Sequence, residues 1–214
     1  MKKPLIALAT LVGLTAGVHA QDSYMGIGLP GLLTLGYAYP LNANVGLRAE
    51  YAGGLSVNKD GSQDGVNVTG NFKASRLGAF ADWFPMAGSF RLVGGLTVND
   101  IKADFNALGS GTASINGNSV NMTGETYNVH LKFPDTSAYI GIGYGHQKSE
   151  AKGFGFYADL GLMIGTFSAD SSTSLVSSGK ATQADVDAQT LKFRDALGGF
   201  NALPSASLGL LYRY

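Results

Sequence analysis

Cysteine is absent from the 214 residues, which excludes a disulfide framework, a thiolate nucleophile and a thiolate metal site. Charge is scarce as well. Only 14% of residues are Asp, Glu, Lys or Arg, and they balance, so the chain lacks the basic field that drives phosphate binding, and nucleic acid is excluded as a partner. Histidine is too thin for a metal centre. Besides His19 there are His130 and His146, far apart in sequence. Long apolar runs are missing too: the longest, Leu5 to Val18, is about 14 residues, short of the roughly 20 that a spanning helix needs. If the chain enters a membrane, it must do so as a closed β-barrel, the other structure that satisfies every backbone polar group in lipid.

What is present fits that route. Lys2 and Lys3 precede the apolar run, which closes on Val18-His19-Ala20 before Gln21-Asp22. These are the parts of a signal peptide over residues 1–20, leaving a single mature domain over 21–214. Removing the two lysines leaves 13 Lys plus Arg against 15 Asp plus Glu, a net charge of −2. The 31 Gly and 21 Phe plus Tyr allow close-packed short strands with an apolar outer surface.

Period-two runs bounded by turn residues predict the strands. Leu33, Leu35, Tyr37 and Tyr39 share a face before a turn at 40–43. In 44–57, Val45, Leu47, Ala49, Tyr51, Leu55 and Val57 face out, with Gly46, Arg48, Glu50 and Ala52 inward. A polar loop is expected at 58–65. The third run sets Leu77, Ala79, Ala81 and Trp83 against Arg76, Gly78, Phe80 and Asp82. Its upper part, 66–75, has the opposite parity, which predicts either a bulge near residue 75 or a segment above the membrane. After a turn at 85–88, Phe90, Leu92, Leu96 and Val98 face out, and Arg91, Val93, Gly95, Thr97 and Asn99 face in.

Residues 101–135 read as a long polar loop with a hairpin about Asn116-Gly117-Asn118. From Ala138, Ile140, Ile142 and Tyr144 oppose Tyr139, Gly141, Gly143 and Gly145, and a turn follows over 147–153. Phe154 to Phe167 alternates most clearly, with Asp159 inward. Thr182 to Leu197 has a capping-box start at Thr182-Gln-Ala-Asp185 and reads as a short helix over a barrel rim, with one weak stripe at Ala184, Ala188 and Leu191 and another at Val186, Phe193 and Leu197. Short connections belong to the periplasmic side and long ones face outward. Seven strands are clear. An even count requires an eighth, assigned to Ser23–Leu29.

The last eight residues, Ser207-Leu-Gly-Leu-Leu-Tyr-Arg-Tyr214, put Leu208, Leu210, Tyr212 and Tyr214 on one face and Ser207, Gly209, Leu211 and Arg213 on the other. This ending resembles the insertion signal of bacterial outer-membrane β-barrels, with Ser207, Gly209, Tyr212 and Tyr214 as its elements. The resemblance implies an outer-membrane destination and the barrel-assembly machinery as a partner during insertion. The expected fold is all-β, a closed antiparallel up-and-down transmembrane barrel of eight strands with one short helix in a long outer loop. It is similar to the outer membrane protein A, X and W groups.

Arg48, Glu50, Arg76, Asp82, Arg91, Asp159 and Arg213 fall on the side of the small residues. An arginine facing lipid at the midplane costs about 2–4 kcal/mol, so these charges should face the lumen and pair. In a barrel of about eight strands, with room inside for side chains only, they predict a plug. The leading expectation is therefore a non-enzymatic, monomeric barrel, surrounded by outer-membrane lipid, that displays loops at 58–65, 101–135 and 169–203. A narrow channel for small solutes is the alternative. A soluble exported β-domain is a third class, and a lipid A-modifying barrel enzyme, built on His146 and Ser149, a fourth. Gly26-Ile-Gly28-Leu-Pro-Gly31 matches a dinucleotide fingerprint by letter, but Pro30 before another strand denies it the helix it needs, so no cofactor is expected.

Overall fold

A computed structural model describes residues 21–63, 66–146, 152–198 and 201–214. The proposed signal peptide, residues 64–65 of the expected polar loop, residues 147–151 of the turn expected over 147–153, with Ser149, and Gly199 lie outside the described residues. Among these residues the chain forms β1 (Asp22–Leu29), β2 (Leu33–Pro40), β3 (Val45–Gln63), β4 (Val66–Trp83), β5 (Phe90–Gly109), β6 (Thr112–Ile115), β7 (Asn118–Asn121), β8 (Thr126–Lys132), β9 (Thr136–Tyr144), β10 (Gly153–Ile164), β11 (Ser168–Thr173), α1 (Gln183–Gly198) and β12 (Ala202–Arg213).

Eight of these strands close a ring in the order β1-β2-β3-β4-β5-β9-β10-β12, with β12 returning to β1 through Asp22↔Arg213 and Leu29↔Ala206. The predicted all-β barrel is the fold. Its first strand is β1, one residue longer than expected at its start.

Around the lower ring the alternation holds strand by strand. Leu77, Leu96, Val98, Ile140, Leu160 and Leu208 stand exposed on the outside, in an apolar belt far more continuous than the surface of a water-soluble domain. Tyr39, Trp83, Phe90, Tyr144, Phe154 and Tyr212 lie at the short-turn ends of their strands, and Tyr212 packs edge-on against Phe154 at 5.0 Å and Tyr214 at 5.3 Å.

The structure corrects all three expected display loops. Residues 58–63 continue β3, paired with β4 up to Gln63↔Val66. The stretch 101–135 is mostly strand: β5 runs on to Gly109, and β8 pairs with its upper half from Lys102↔Lys132 to Leu108↔Thr126. In 169–203, β11 pairs with β8 and is followed by α1. These pieces build a strand-walled hood on the long-loop end of the barrel. The β6–β7 hairpin turns at Asn116 (φ 51°) and Gly117 (φ 86°), where the sequence placed it.

No bulge occurs in β4 near residue 75. Its pairing with β5 is unbroken from Val66↔Gly109 to Trp83↔Leu92. The shift lies instead in β3, between Ala52 and Leu55, at Gly53-Gly54 with Gly54 at φ 88°. What reverses along β4 is polarity: above Ser75 the inward side chains are apolar.

The hood interior is accordingly an apolar core, with Ile101, Leu131, Phe133, Met122, Leu175 and Val186 fully buried. The helix begins as its cap predicts, Asp185 N donating to Thr182 Oγ1 at 3.2 Å and Thr182 Oγ1 to Asp185 Oδ2 at 2.7 Å. Its buried side is Val186 with Thr190, one turn apart, and Ala184 and Leu191 are exposed, so the first predicted stripe faces outward.

Candidate functional site

The lower lumen is the site that the sequence singles out, and strand parity alone brings it together. Arg48 and Glu50 on β3, Arg76 and Asp82 on β4, Arg91 on β5 and Asp159 on β10 all point inward and are buried. Arg48 is the hub. Its Nε donates to Asp82 Oδ2 at 3.1 Å and its Nη1 to Glu50 Oε2 at 2.9 Å, with Asp159 Oδ2 at 3.5 Å. Arg91 Nη2 holds Asp159 through both oxygens at 2.7 and 2.8 Å, and Arg91 Nη1 donates to Gly145 O at 2.6 Å. Arg76 Nη2 donates to Glu50 Oε1 at 2.5 Å and its guanidinium lies near the Phe80 and Tyr139 rings. Three arginines thus meet three carboxylates in one connected network, an arrangement that compensates desolvation because every charge has a partner.

Glycine makes the space. A Cβ at Gly143 would stand 2.4 Å from Asp159 Oδ1 and 2.8 Å from the Arg91 guanidinium. At Gly36 it would overlap the ring of Tyr24, whose hydroxyl donates to Glu50 Oε2 at 2.9 Å.

Arg213 stands apart from that network, at the short-turn end. It pairs with Asp22, Nε to Oδ1 at 2.8 Å and Nη2 to Oδ2 at 2.9 Å, across the seam that joins the first and last strands. His146 Nδ1 lies 3.1 Å from Asp22 Oδ2. The sequence reading left Asp22 out of the network and placed His146 at a strand end, as the candidate of the enzyme alternative. Asp22 shares inward parity with Tyr24, Gly26 and Gly28, a signal that starting the strand at Ser23 hid by one residue. With Asp22, four arginines face four carboxylates. His146, in the turn after β9, is pushed down to about 4 by burial, against the opposing pull of Asp22. It is therefore neutral at pH 7 and donates to Asp22 rather than adding charge.

The terminal elements sit as the alternation requires. Ser207 is buried, Gly209 faces Gly26 beneath the Tyr157 ring, and Tyr212 and Tyr214 are exposed on the outer face. Tyr214 N donates to Gln21 O at 3.1 Å. The second histidine, His130, is on the outer wall of the hood, paired with Asp104. Among the described residues no cluster of three or more His, Cys, Asp or Glu could hold a metal.

An eight-strand ring with this course matches solved structures. The chain shares the fold of CarO. Over 90% of this chain and 97% of the other, it aligns with Acinetobacter baumannii CarO at 17% identity and a TM-score of 0.63. Over 93% and 100% it aligns with Acinetobacter baumannii CarO2 at 20% identity and a TM-score of 0.65. The sequence itself matches no family profile and no curated protein at a significant level. The likeness to CarO is one of backbone course.

Proposed function

We propose that the protein is an outer-membrane β-barrel with a closed lumen, a non-enzymatic structural or surface protein that presents its hood outside the cell. The balanced network of Arg48, Arg76 and Arg91 with Glu50, Asp82 and Asp159 carries this reading, because it fills the cross-section with paired charge. The apolar core stacked above it supports the same conclusion. The exposed aliphatic belt with its aromatic short-turn end supports a lipid environment. Residues 1–20 are read as the export signal, and Ser207, Gly209, Tyr212 and Tyr214 as the assembly signal that resembles those of small outer-membrane barrels. The protein acts as a monomer in outer-membrane lipid.

Planar bilayers test the closed lumen. Purified protein should be electrically silent, and stable unit steps abolished by altering Arg48 or Arg91 would establish the narrow channel instead. One observation favours that second reading: Thr34 Oγ1, Arg76 Nε and Arg76 Nη1 are buried without a protein hydrogen-bond partner, as the lining of a thin aqueous path would be. Location is tested separately. Extraction only with detergent and heat-modifiable gel migration are expected, whereas release without detergent would indicate a soluble exported domain. His146→Ala should leave lipid A unchanged on mass spectrometry.

A further inference from the structure

Under the β6–β7 hairpin the hood holds a cavity of about 460 Å³, within the 300–1,000 Å³ usual for small-molecule sites. Val66, Val68, Ile115, Met122, Tyr127 and Phe193 wall it. Ser114, Ser119 and Gln189 supply polarity, and among the described residues no Asp, Glu, Lys or Arg lines it. The lining offers an ion no charged partner, so its chemistry favours an uncharged guest.

The wall is also built in advance. Asn116, in the hairpin turn, donates from its backbone N to Gln189 Oε1 at 2.9 Å and from Nδ2 to Asp185 Oδ1 at 3.0 Å, while Lys192 Nζ donates to Asn116 Oδ1 at 3.0 Å. Asn118 Nδ2 adds a bond of 3.3 Å to Asp185 Oδ1. Asp185, Gln189 and Lys192 follow at helical spacing on one face of α1. The hairpin is thus clamped over the cavity, so a ligand does not meet the entropic cost of ordering it. Two rings face the space, Tyr127 and Phe193, with centroids 6.3 Å apart, and the Met122 thioether suits an aromatic guest.

We propose that this cavity binds a small, uncharged aromatic molecule, a ligand site in the hood that is separate from the lower lumen. The site goes beyond the closed-barrel reading and does not depend on it.

Methionine methyl NMR on the folded protein in detergent, with indole as the probe, tests the proposal. Met122 lines the cavity, Met163 is fully buried in the barrel below, and Met25 and Met86 are exposed on the outside. The expected result is a saturable shift of Met122 with Met163 unmoved, and binding of indole-3-acetate or tryptamine weaker by roughly tenfold or more. Ala113→Phe, which fills the cavity, should abolish the shift. Movement of Met25 and Met86 with a silent Met122 would mean partition into detergent and would overturn the site. So would an equal response to the charged analogues, or a response that survives Ala113→Phe. Should Ala113→Phe disturb the hairpin, Asn116→Ala gives an independent result: loosening the clamp weakens indole binding severalfold, and unchanged affinity refutes the site.

Discussion

Along β4, Arg76, Gly78, Phe80 and Asp82 point inward below Ser75, and Val66, Val68, Phe72 and Ala74 point inward above it, with no register shift between them. The outer face changes in the opposite sense, from Leu77, Ala79 and Trp83 to Asn67, Thr69, Asn71 and Lys73. One strand therefore passes through two regions of opposite polarity while its pleat continues. The lower barrel is apolar outside and charged inside; the hood is an ordinary globular layer, polar outside and oily inside. Alternation alone does not say which face is the interior. On the proposed reading the medium around each half does that, lipid demanding an apolar exterior below and water a polar one above.

The same contrast sets where each half is vulnerable. Arg48→Met should have the largest effect, about 3–5 kcal/mol, because it leaves Asp82 and Glu50 buried with fewer partners. Urea unfolding followed by heat-modifiable migration would measure it. The hood should keep its resistance to protease under conditions where the wild-type barrel persists. Equal loosening of both halves would show that the lumen network also holds the hood.

Leu131→Ala probes the other half. Leu131 is fully buried beside Ile101 and Phe133, so the truncation should cost about 2–5 kcal/mol. That loss should appear as faster amide exchange in β8 and the upper part of β5, with little change in the barrel transition. A matching drop in the barrel transition would mean that the two layers fold as one unit.

On the outside, one strand supplies its own control. Leu96 and Asn106 share the outward face of β5, ten residues apart. Leu96→Arg should cost about 2–4 kcal/mol when the protein folds into bilayers, falling toward zero at the interfaces. Asn106→Arg, in the hood, should be nearly neutral. Equal costs at both positions would contradict a lipid belt confined to the lower half.

These differences also explain how far the sequence could be read. The lower ring was legible residue by residue, because its strands carry Leu, Ile and Phe at every second position on the exposed face and Arg48, Glu50, Arg91 and Asp159 on the lumen face between them. The hood was not. Its outward residues, such as Asn58, Asp60, Asn71, Asp104 and Asn106, carry the composition of loops, and the apolar residues between them fall on the parity that lower down holds charge. The change at residue 75 was visible, but its cause lay in the surroundings. Asp22 was missed because it sits one residue before the strand expected from Ser23, and its pairing with His146 emerges only when the closed ring brings the two within reach of each other. The bulge had a local sign, Gly53-Gly54. The helix was legible from its cap, but not which side it buries, since Val186 and Thr190 find partners only in the hood.

His146 gives a test that is confined to the short-turn end. Its folded value of about 4 lies below the ordinary 6.5, so the unfolded chain binds the proton more readily. The stability contributed by the neutral imidazole is present above pH 6.5 and is lost as the pH falls from 6.5 toward 4, up to about 3 kcal/mol in all. His146→Gln should flatten that part of the pH profile of barrel stability. The exchange rates of hood amides should not follow it.

The smallest effect belongs to the far end. Thr182 caps α1 through Asp185 N, and Thr182→Ala should cost about 1 kcal/mol. The loss should be spent in the first turn, around Asp185, whose carboxylate is held below its usual range first by Thr182 and then by Asn116. Fraying there also releases Asn116 and Asn118 from Asp185, so amide exchange should quicken in the β6–β7 hairpin as well as in α1. Exchange in β1, β2 and β12 should be unchanged, because the cap reaches the lower barrel only through the hood core. A faster β12 would join the two regions that their polarity otherwise keeps apart.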